Sequence, residues 1–244
     1  DDALLPDPKQ ARALITPRTR AISLVTPNNP AGVEYPADLV LAFYTLAKEA
    51  GIKLIVDETY RDFHSQSGAP HALFQQEGWQ DTLIQLYSFS KAYRLTGHRV
   101  GAIIAQDGLL AEVEKFLDTV AICPPQPGQL GALWGMRNLS QWLAGERAEI
   151  LDRRDAIKGQ FARLSGWVLK GCGAYFAYGE HPFDDRSDVL ARRLVHEAGI
   201  LALPGTMFRP PDDPAGAREM RIAFANIDRA GISALIDRLQ SVTA

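Results

Sequence analysis

The chain has 244 residues, and its 26 basic and 29 acidic side chains give a formal net charge of −3. Hydrophobic residues make up 46% and charged residues 23%, the composition of a folded globular protein, which excludes a disordered chain, a collagen and a coiled coil. The near-neutral charge predicts no broad attraction to nucleic acid or anionic lipid, and no apolar run approaches the roughly 18 residues needed to cross a membrane.

The first half of the chain alternates predicted strands and helices. Its apolar segments are short and bounded by proline, glycine or polar residues, which is typical of buried strands. A helix is predicted from Pro36 to about Ala50, because apolar residues recur there at helical spacing and Gly51 supplies a stop. The predicted strands are Ala21–Thr26, Ile52–Val56, Thr82–Tyr87 and Val100–Ala105, and a helix over about Leu109–Leu117 follows them. This alternation predicts an α/β fold with a mainly parallel sheet.

The second half of the chain predicts a smaller α+β domain. A long helical stretch over about Gln129–Leu164 is expected to break near Gly145. Short strands are predicted at Trp167–Leu169, Tyr175–Tyr178, Ile200–Leu203 and Met220–Ala225, and helices at about Asp188–Ala198 and Asp228–Ser241. The Pro/Gly-rich stretch Pro204–Ala217 is expected to be an exposed loop. We therefore predict a large domain over residues 1–145 and a small C-terminal domain, with a linking helix, over residues 146–244.

Polar clusters follow successive predicted strands of the first half. They are Thr26–Gly32 (TPNNPAG), Asp57–Tyr60 (DETY) and Ser88–Lys91 (SFSK), with Thr96–Arg99 (TGHR) shortly after the last. Ligands bind beyond the carboxyl ends of the strands in open α/β sheets. Parallel strands would therefore gather these clusters at one edge of the sheet.

The side-chain types in these clusters suit a flat, charged heterocycle. A lysine that follows a buried strand can be desolvated, which favours its attack on a carbonyl. Serine hydroxyls beside an arginine suit a phosphate, and an aspartate at a strand end requires a cation such as a protonated ring nitrogen. A tyrosine and an asparagine can donate hydrogen bonds to a ring oxygen. Together these requirements describe pyridoxal phosphate.

The motifs, in their order along the chain, resemble those of class I/II aminotransferases, which are pyridoxal-phosphate-dependent enzymes of fold type I. They are NPAG at Asn29–Gly32, DxxY at Asp57–Tyr60, SxSK at Ser88–Lys91 with Arg99 eight residues later, PGTMF at Pro204–Phe208 and MRIAFA at Met220–Ala225. The resemblance covers essentially the whole chain. It implies transfer of an amino group between an L-amino acid and a 2-oxo acid, in an enzyme that forms a homodimer.

Matching positions imply the catalytic roles. Lys91 would hold the cofactor as a Schiff base and later move the substrate proton. Asp57 would pair with the protonated ring nitrogen. Tyr60 would donate a hydrogen bond to the ring oxygen.

The resemblance also implies the binding roles. Asn29 would share the ring oxygen with the tyrosine and contribute to substrate binding. Ser88, Ser90 and Arg99 would bind the phosphate. Arg221 would hold the substrate α-carboxylate in a bidentate pair, which orients the Cα–H bond.

Each of these residues also has a purely structural interpretation. Lys91 could be a solvated surface charge, and Asp57 could cap the following turn. Tyr60 could be a packed core phenol, and Asn29 a residue chosen for a turn. Arg221 could form a salt bridge at a strand edge.

The family carries a long segment before the Asn29 motif. That segment holds a helix N-terminus that cradles the phosphate, an aromatic that stacks on the ring, and part of the substrate pocket. No such segment precedes the motif here. The chain is therefore expected to be the C-terminal portion of the enzyme, with a truncated large domain, and to be inactive alone.

Other functions would use the same residues. Another fold type I enzyme, such as a C–S lyase or a decarboxylase, would share the lysine, ring and carboxylate contacts. A winged-helix transcription regulator could carry an aminotransferase-like effector domain. The cysteine count of two predicts no disulfide framework and a cytoplasmic location, and the five histidines show no metal-ligand spacing. We expect no metal, no nucleic-acid partner and no membrane partner.

Overall fold

The structure, a computed structural model, describes residues 4–242. The chain divides into two compact units. The first, here called the N-terminal unit, comprises Pro6–Pro27 and Glu34–Arg147. The second, here called the C-terminal unit, comprises Asn28–Val33, the chain from Ala148 onward and, at the start of the described chain, Leu4 and Leu5. The segment Asn28–Val33 therefore lies in the C-terminal unit although both of its flanks belong to the other unit.

The N-terminal unit is built on a four-stranded sheet whose strands follow one another in chain order. The strands are β1 (Ala21–Val25), β2 (Lys53–Asp57), β3 (Leu83–Ser88) and β4 (Gly101–Ile104). β1, β2 and β3 run parallel, whereas β4 runs antiparallel to β3. The prediction of a mainly parallel sheet is confirmed, and the carboxyl ends of β1, β2 and β3 lie at one edge.

The helices of the N-terminal unit precede, connect or follow these strands. They are α1 (Pro8–Leu14), α2 (Ala37–Glu49), α3 (Phe89–Ala92), α4 (Asp107–Val120) and α5 (Gln126–Asn138). α2 follows Pro36 and ends before Gly51, which has a φ of +65°, as the sequence predicts. Its apolar face is buried and contacts β1 and β2. No helix within residues 4–242 is long and apolar enough to span a membrane.

The predicted break of the long helical stretch at Gly145 is wrong. The break lies at Leu139, which leaves helical geometry between α5 and α6 (Ser140–Phe161). Gly145 lies inside α6, and a Cβ built on it meets no atom within 4 Å. An exposed helix tolerates one glycine at a cost of about 1 kcal/mol, so the glycine does not end it.

The C-terminal unit contains an antiparallel sheet in the order β5–β6–β8–β7. The strands are β5 (Val168–Gly173), β6 (Phe176–Glu180), β7 (Leu203–Pro204) and β8 (Glu219–Ala223). The later half of α6 packs with α7 (Ser187–Ala198) and α8 (Arg229–Ser241) in one apolar core with residues of β6 and β8. Leu190, Met220 and Ile232 of this core are fully buried.

The stretch Pro204–Ala217 is not the exposed loop that its prolines and charges predict. It contains two 3-10 turns, Gly205–Met207 and Pro214–Ala217, and Gly205 and Gly216 are buried. A Cβ on Gly205 would lie 2.7 Å from the Cβ of Glu219. The stretch folds onto β8 because its charged Arg209 finds a buried partner there, the carboxylate of Glu219.

The segment Asn28–Val33 packs backbone to backbone on the hairpin formed by β5 and β6. A Cβ on Gly32 would lie 2.5 Å from both the nitrogen of Gly173 and the oxygen of Phe176. A Cβ on Gly171 would lie 2.4 Å from the oxygen of Ala31. Only glycine leaves room for these approaches, and Gly32 also has a φ of +71°. The NPAG motif therefore ends in a residue that the packing requires.

We expect Gly32→Ala to lower the free energy of unfolding by about 3 kcal/mol or more, because it combines a strained φ with backbone overlap. Gly199→Ala is the matched control in the same unit. Gly199 also has a positive φ, of +61°, but its Cβ would meet only Arg238 Nη1, at 3.7 Å. Gly199→Ala should lower the free energy of unfolding by only about 1 to 2 kcal/mol, the usual cost of a left-handed conformation for a residue with a Cβ. Urea denaturation followed by circular dichroism measures both, and equal losses would contradict the packing argument.

Candidate functional site

The candidate residues of the N-terminal unit gather at the carboxyl edge of its sheet. Asp57 is the last residue of β2 and Ser88 the last residue of β3. Asp57 pairs in register with Leu86 of the parallel neighbour β3. Lys91 follows in the short helix α3, which begins directly after β3. Residues that are 31 and 34 positions from Asp57 in the sequence thus reach the same edge.

The carboxylate of Asp57 is held by the turn that follows it. Its Oδ1 accepts hydrogen bonds from the backbone nitrogen of Thr59, at 2.9 Å, and from Thr59 Oγ1, at 2.7 Å. Both donors act on one oxygen, and Asp57 is only partly buried. Within residues 4–242 no side chain donates to the second oxygen, Oδ2. This oxygen is therefore the one that can accept a donor from a ligand.

Lys91 and Tyr60 lie close to each other at this edge. Lys91 Nζ is 6.0 Å from the centre of the Tyr60 ring, within the range of a cation–π contact. Tyr60 is 5% exposed, so the neighbouring atoms restrict the movement of its ring. Lys91 is half-buried.

The predicted phosphate-binding residues share the end of β3. The hydroxyl oxygen of Ser88 accepts a hydrogen bond from the backbone nitrogen of Ser90 and so caps α3. Ser88 pairs with Gly101, two residues after Arg99, so the arginine lies at the same end of β3. Arg99 is exposed, has a φ of +49°, and donates through Nη1 to the oxygen of Thr96 at 2.7 Å.

A buried carboxylate next to Asp57 escaped the sequence analysis. Glu58 is 0% exposed, and its oxygens lie 3.4 Å from His71 Nε2 and 3.5 Å from Arg61 Nη1. His71 Nδ1 accepts the backbone N–H of Leu73. Among the described residues, His71 Nε2 and the two Glu58 oxygens have no hydrogen-bond partner, so this contact is a close approach of two buried polar groups. An acidic residue directly after an apolar strand is the signal that could have found it.

A hydrogen bond from β3 holds the turn that follows Tyr60. The hydroxyl of Tyr87, on β3, donates to Asp62 Oδ2 at 2.6 Å, and Asp62 belongs to the 3-10 turn Arg61–Phe63 that starts after Tyr60. Burial, and then the nearby Asp62 carboxylate, raise the pKa of Tyr87, so the hydroxyl keeps its proton. The turn that positions Tyr60 is therefore anchored to β3 by a charge-assisted hydrogen bond.

Asn29 and Arg221 meet within the C-terminal unit. Arg221 Nη1, on β8, donates to Asn29 Oδ1 at 2.7 Å, although the two residues are 192 positions apart. Asn29 is exposed and Arg221 half-buried. The sequence analysis assigned substrate binding to both residues but did not predict this bond.

Two aromatic residues beside Arg221 were not assigned a role by the sequence. The guanidinium carbon of Arg221 lies 4.5 Å from the ring centre of Phe176 and 4.8 Å from that of Phe208. Such contacts stabilise a cation and limit its side-chain motion. The candidate residues thus form two sets, one in each unit: Asp57, Tyr60, Ser88, Ser90, Lys91 and Arg99 in the N-terminal unit, and Asn29 and Arg221 in the C-terminal unit.

Comparison with known families and curated proteins gives consistent matches. A model of the family described as aminotransferase class I and II matches residues 2–239. The aromatic aminotransferase ISS1 of Arabidopsis thaliana is 28% identical, with 98% of this chain and 60% of that protein aligned. The probable aspartate/prephenate aminotransferase of Thermus aquaticus is 26% identical over 85% of this chain and 54% of its own length. The chain thus spans about 60% or less of these relatives.

Solved structures agree in fold. The N-succinyldiaminopimelate aminotransferase of Mycobacterium tuberculosis superposes with a TM-score of 0.88 at 24% identity, covering 98% of this chain and 62% of that chain. An aspartate aminotransferase tetra mutant from Thermus thermophilus gives 0.86 at 24% identity, with 99% and 64% covered. At this level of identity the similarity establishes the fold alone.

We expect Tyr87→Phe to lower the free energy of unfolding by about 1.5 to 3 kcal/mol, because it removes a hydrogen bond to a charged acceptor. Tyr44→Phe is the control. The Tyr44 hydroxyl is buried with no hydrogen-bond partner among the described residues, so its removal should be neutral or stabilising. Chemical denaturation of both variants measures the difference. A loss as large in Tyr44→Phe would refute the role given to Asp62.

Proposed function

The chain belongs to the class I and II aminotransferases, and on this basis we propose that it is the C-terminal part of a pyridoxal-phosphate-dependent aminotransferase of fold type I. The enzyme would transfer an amino group between an L-amino acid and a 2-oxo acid. The observation that supports this proposal is the placement of Asp57, Ser88 and Lys91 at one edge of a parallel sheet, where ligands bind in α/β folds.

The donor set of the N-terminal unit fits pyridoxal phosphate. Asp57 offers one carboxylate oxygen that accepts no donor from the described side chains, which suits a protonated ring nitrogen. Lys91 offers an amine beside the Tyr60 ring. Ser88, Ser90 and Arg99 offer hydroxyls and a permanent positive charge near the end of β3, which suits a phosphate. When bound, the cofactor supplies an electron-accepting ring.

The residues of this chain would do the remaining work. Asp57 would keep the ring nitrogen protonated, and Thr59 would hold the Asp57 carboxylate in place through two hydrogen bonds. Tyr60 would donate to the ring oxygen. Lys91 would attach the cofactor and, through Nζ, accept the proton from the substrate Cα and return it.

Arg221 would bind the α-carboxylate of the substrate. A guanidinium matches a carboxylate with two parallel N–H donors, and this geometry orients the Cα–H bond. The bond from Nη1 to Asn29 already directs one edge of the guanidinium. Asn29 would also contact the ring oxygen.

We also propose a cytoplasmic homodimer without nucleic-acid or membrane partners. The cysteines Cys123 and Cys172 are both free thiols, which supports a reducing compartment. Burial raises the pKa of the Cys172 thiol to about 12, so this residue is an inert packing group. The net charge of −3 supports the absence of a nucleic-acid partner.

We expect Lys91→Ala, in the longer protein that contains this chain, to abolish both the absorbance of the lysine-bound cofactor and transamination, because Nζ is the amine that would attach the cofactor. Lys53→Ala is the control, since Lys53 begins β2 and its Nζ donates to the oxygen of Asp81. Absorbance spectroscopy and a keto-acid assay report the two effects. Unchanged cofactor absorbance in Lys91→Ala would refute the assignment, and ammonia release in place of keto-acid transfer would favour a lyase.

We expect the 244-residue chain alone to transfer no amino groups even with added pyridoxal phosphate, because about 40% of the length of the Arabidopsis thaliana relative lies outside the part that aligns with it. The measurement is turnover with a panel of L-amino acids and 2-oxoglutarate, with the longer protein as the positive control. Turnover by the short chain that disappears in its Lys91→Ala variant would contradict this expectation.

A further inference from the structure

Arg221 contacts Phe208, which lies outside regular secondary structure. The ring centre of Phe208 is 4.8 Å from the guanidinium carbon of Arg221. Phe208 directly follows the 3-10 turn Gly205–Met207 and belongs to no strand or helix. A residue in such a segment keeps its place only if neighbouring contacts hold it. This segment therefore needs a contact that fixes it against β8.

The next residue, Arg209, supplies that contact. Its Nε donates to Glu219 Oε2 at 2.8 Å and its Nη2 to Glu219 Oε1 at 2.7 Å, which is a bidentate pair. Arg209 Nη1 also lies 3.2 Å from Asp213 Oδ2. The hydrogen bonds that Arg209 donates to Glu219 raise the pKa of Arg209 further above its ordinary value. The backbone position after Phe208 is thus tied to β8.

Glu219 occupies a fixed position in β8. It is 1% exposed, and it lies two residues before Arg221 on β8, on the same face of the strand. Tyr178 donates its hydroxyl to Glu219 Oε2 at 2.8 Å, and Lys170 Nζ is 3.7 Å from Oε1. Burial and the Glu219 carboxylate raise the pKa of Tyr178, so the hydroxyl remains a donor. A buried carboxylate with this many donors is fixed in position.

The same network reaches Arg221 from the side of β6. Tyr178 pairs in register with Arg221. Its ring centre is 6.5 Å from that of Phe208, in an edge-to-face arrangement. Phe208 is therefore held on one side by the Arg209–Glu219 pair and on another by the Tyr178 ring.

We propose that Glu219, Arg209 and Tyr178 form a positioning network that holds Phe208 on Arg221, so that the arginine presents its hydrogen-bonding edge to the carboxylate of an amino acid or 2-oxo acid. The inference rests on the proposed function for the identity of the ligand. The network touches no substrate, and it acts through the orientation of Arg221.

The first test measures the position of Arg221 without any activity. In the 244-residue chain, the Nε–H resonance of Arg221 should show a ring-current shift in nitrogen–proton correlation spectra, and Arg221→Lys identifies the signal. Phe208→Leu and Glu219→Gln should move it, whereas Phe208→Tyr, which keeps a ring, should not. Arg209→Lys provides a milder variant should Glu219→Gln not fold. A signal that stays in place in Phe208→Leu, or in both Glu219→Gln and Arg209→Lys, would overturn the inference.

The second test measures substrate binding in the longer protein. Phe208→Leu and Arg209→Lys should raise KM for the preferred L-amino acid about tenfold or more and change kcat less, because they misplace a binding group. Arg229→Gln is the control: it removes a bidentate but exposed pair with Asp152, and should leave KM unchanged. An unchanged KM in Phe208→Leu would overturn the inference. If the unmodified longer protein does not transaminate, the proposed function fails, and the Arg221 resonance alone decides the positioning network.

Discussion

Close backbone contact at three glycines determines where Asn29 lies. Gly32 and Gly171 leave no space for a Cβ between the segment Asn28–Val33 and the β5–β6 hairpin, and Gly173 contributes the backbone that Gly32 approaches. This contact joins a short segment to a sheet that begins more than a hundred residues later. Because the segment Asn28–Val33 packs on this hairpin, the Asn29 side chain reaches Arg221. A larger side chain at Gly32 or Gly171 would overlap the backbone that each approaches and so displace Asn29 from Arg221.

Both units contain a buried carboxylate beside candidate site residues. Glu58 lies under the turn that carries Tyr60 and faces His71 and Arg61. Glu219 faces Arg209 and holds the segment that carries Phe208. Burying a carboxylate is costly unless cations and donors compensate it. Glu219 has such donors and therefore tolerates few alternative arrangements, which gives the segment that carries Phe208 a defined position. The Glu58 oxygens form no hydrogen bond with the described residues.

The sequence predicted most strands and helices because their signals are local. Apolar runs bounded by turn residues gave the strands of the parallel sheet, and helical spacing closed by Gly51 gave α2. The two errors had different causes. Gly145 is exposed on α6, where a single glycine does not end a helix. The stretch Pro204–Ala217 folds onto β8 because Arg209 pairs with the buried Glu219.

The sequence by itself determined the types and order of the candidate residues, and the alternation that places Asp57, Ser88 and Lys91 after parallel strands. These follow from periodicity and motif spacing, which short stretches of chain contain. Only the tertiary structure decided that Asn29 lies in the C-terminal unit and that Phe208 contacts Arg221. Both depend on contacts between segments far apart in the chain. Such contacts are selected by the space left at glycines and by the pairing of buried charges, neither of which leaves a periodic pattern in the sequence.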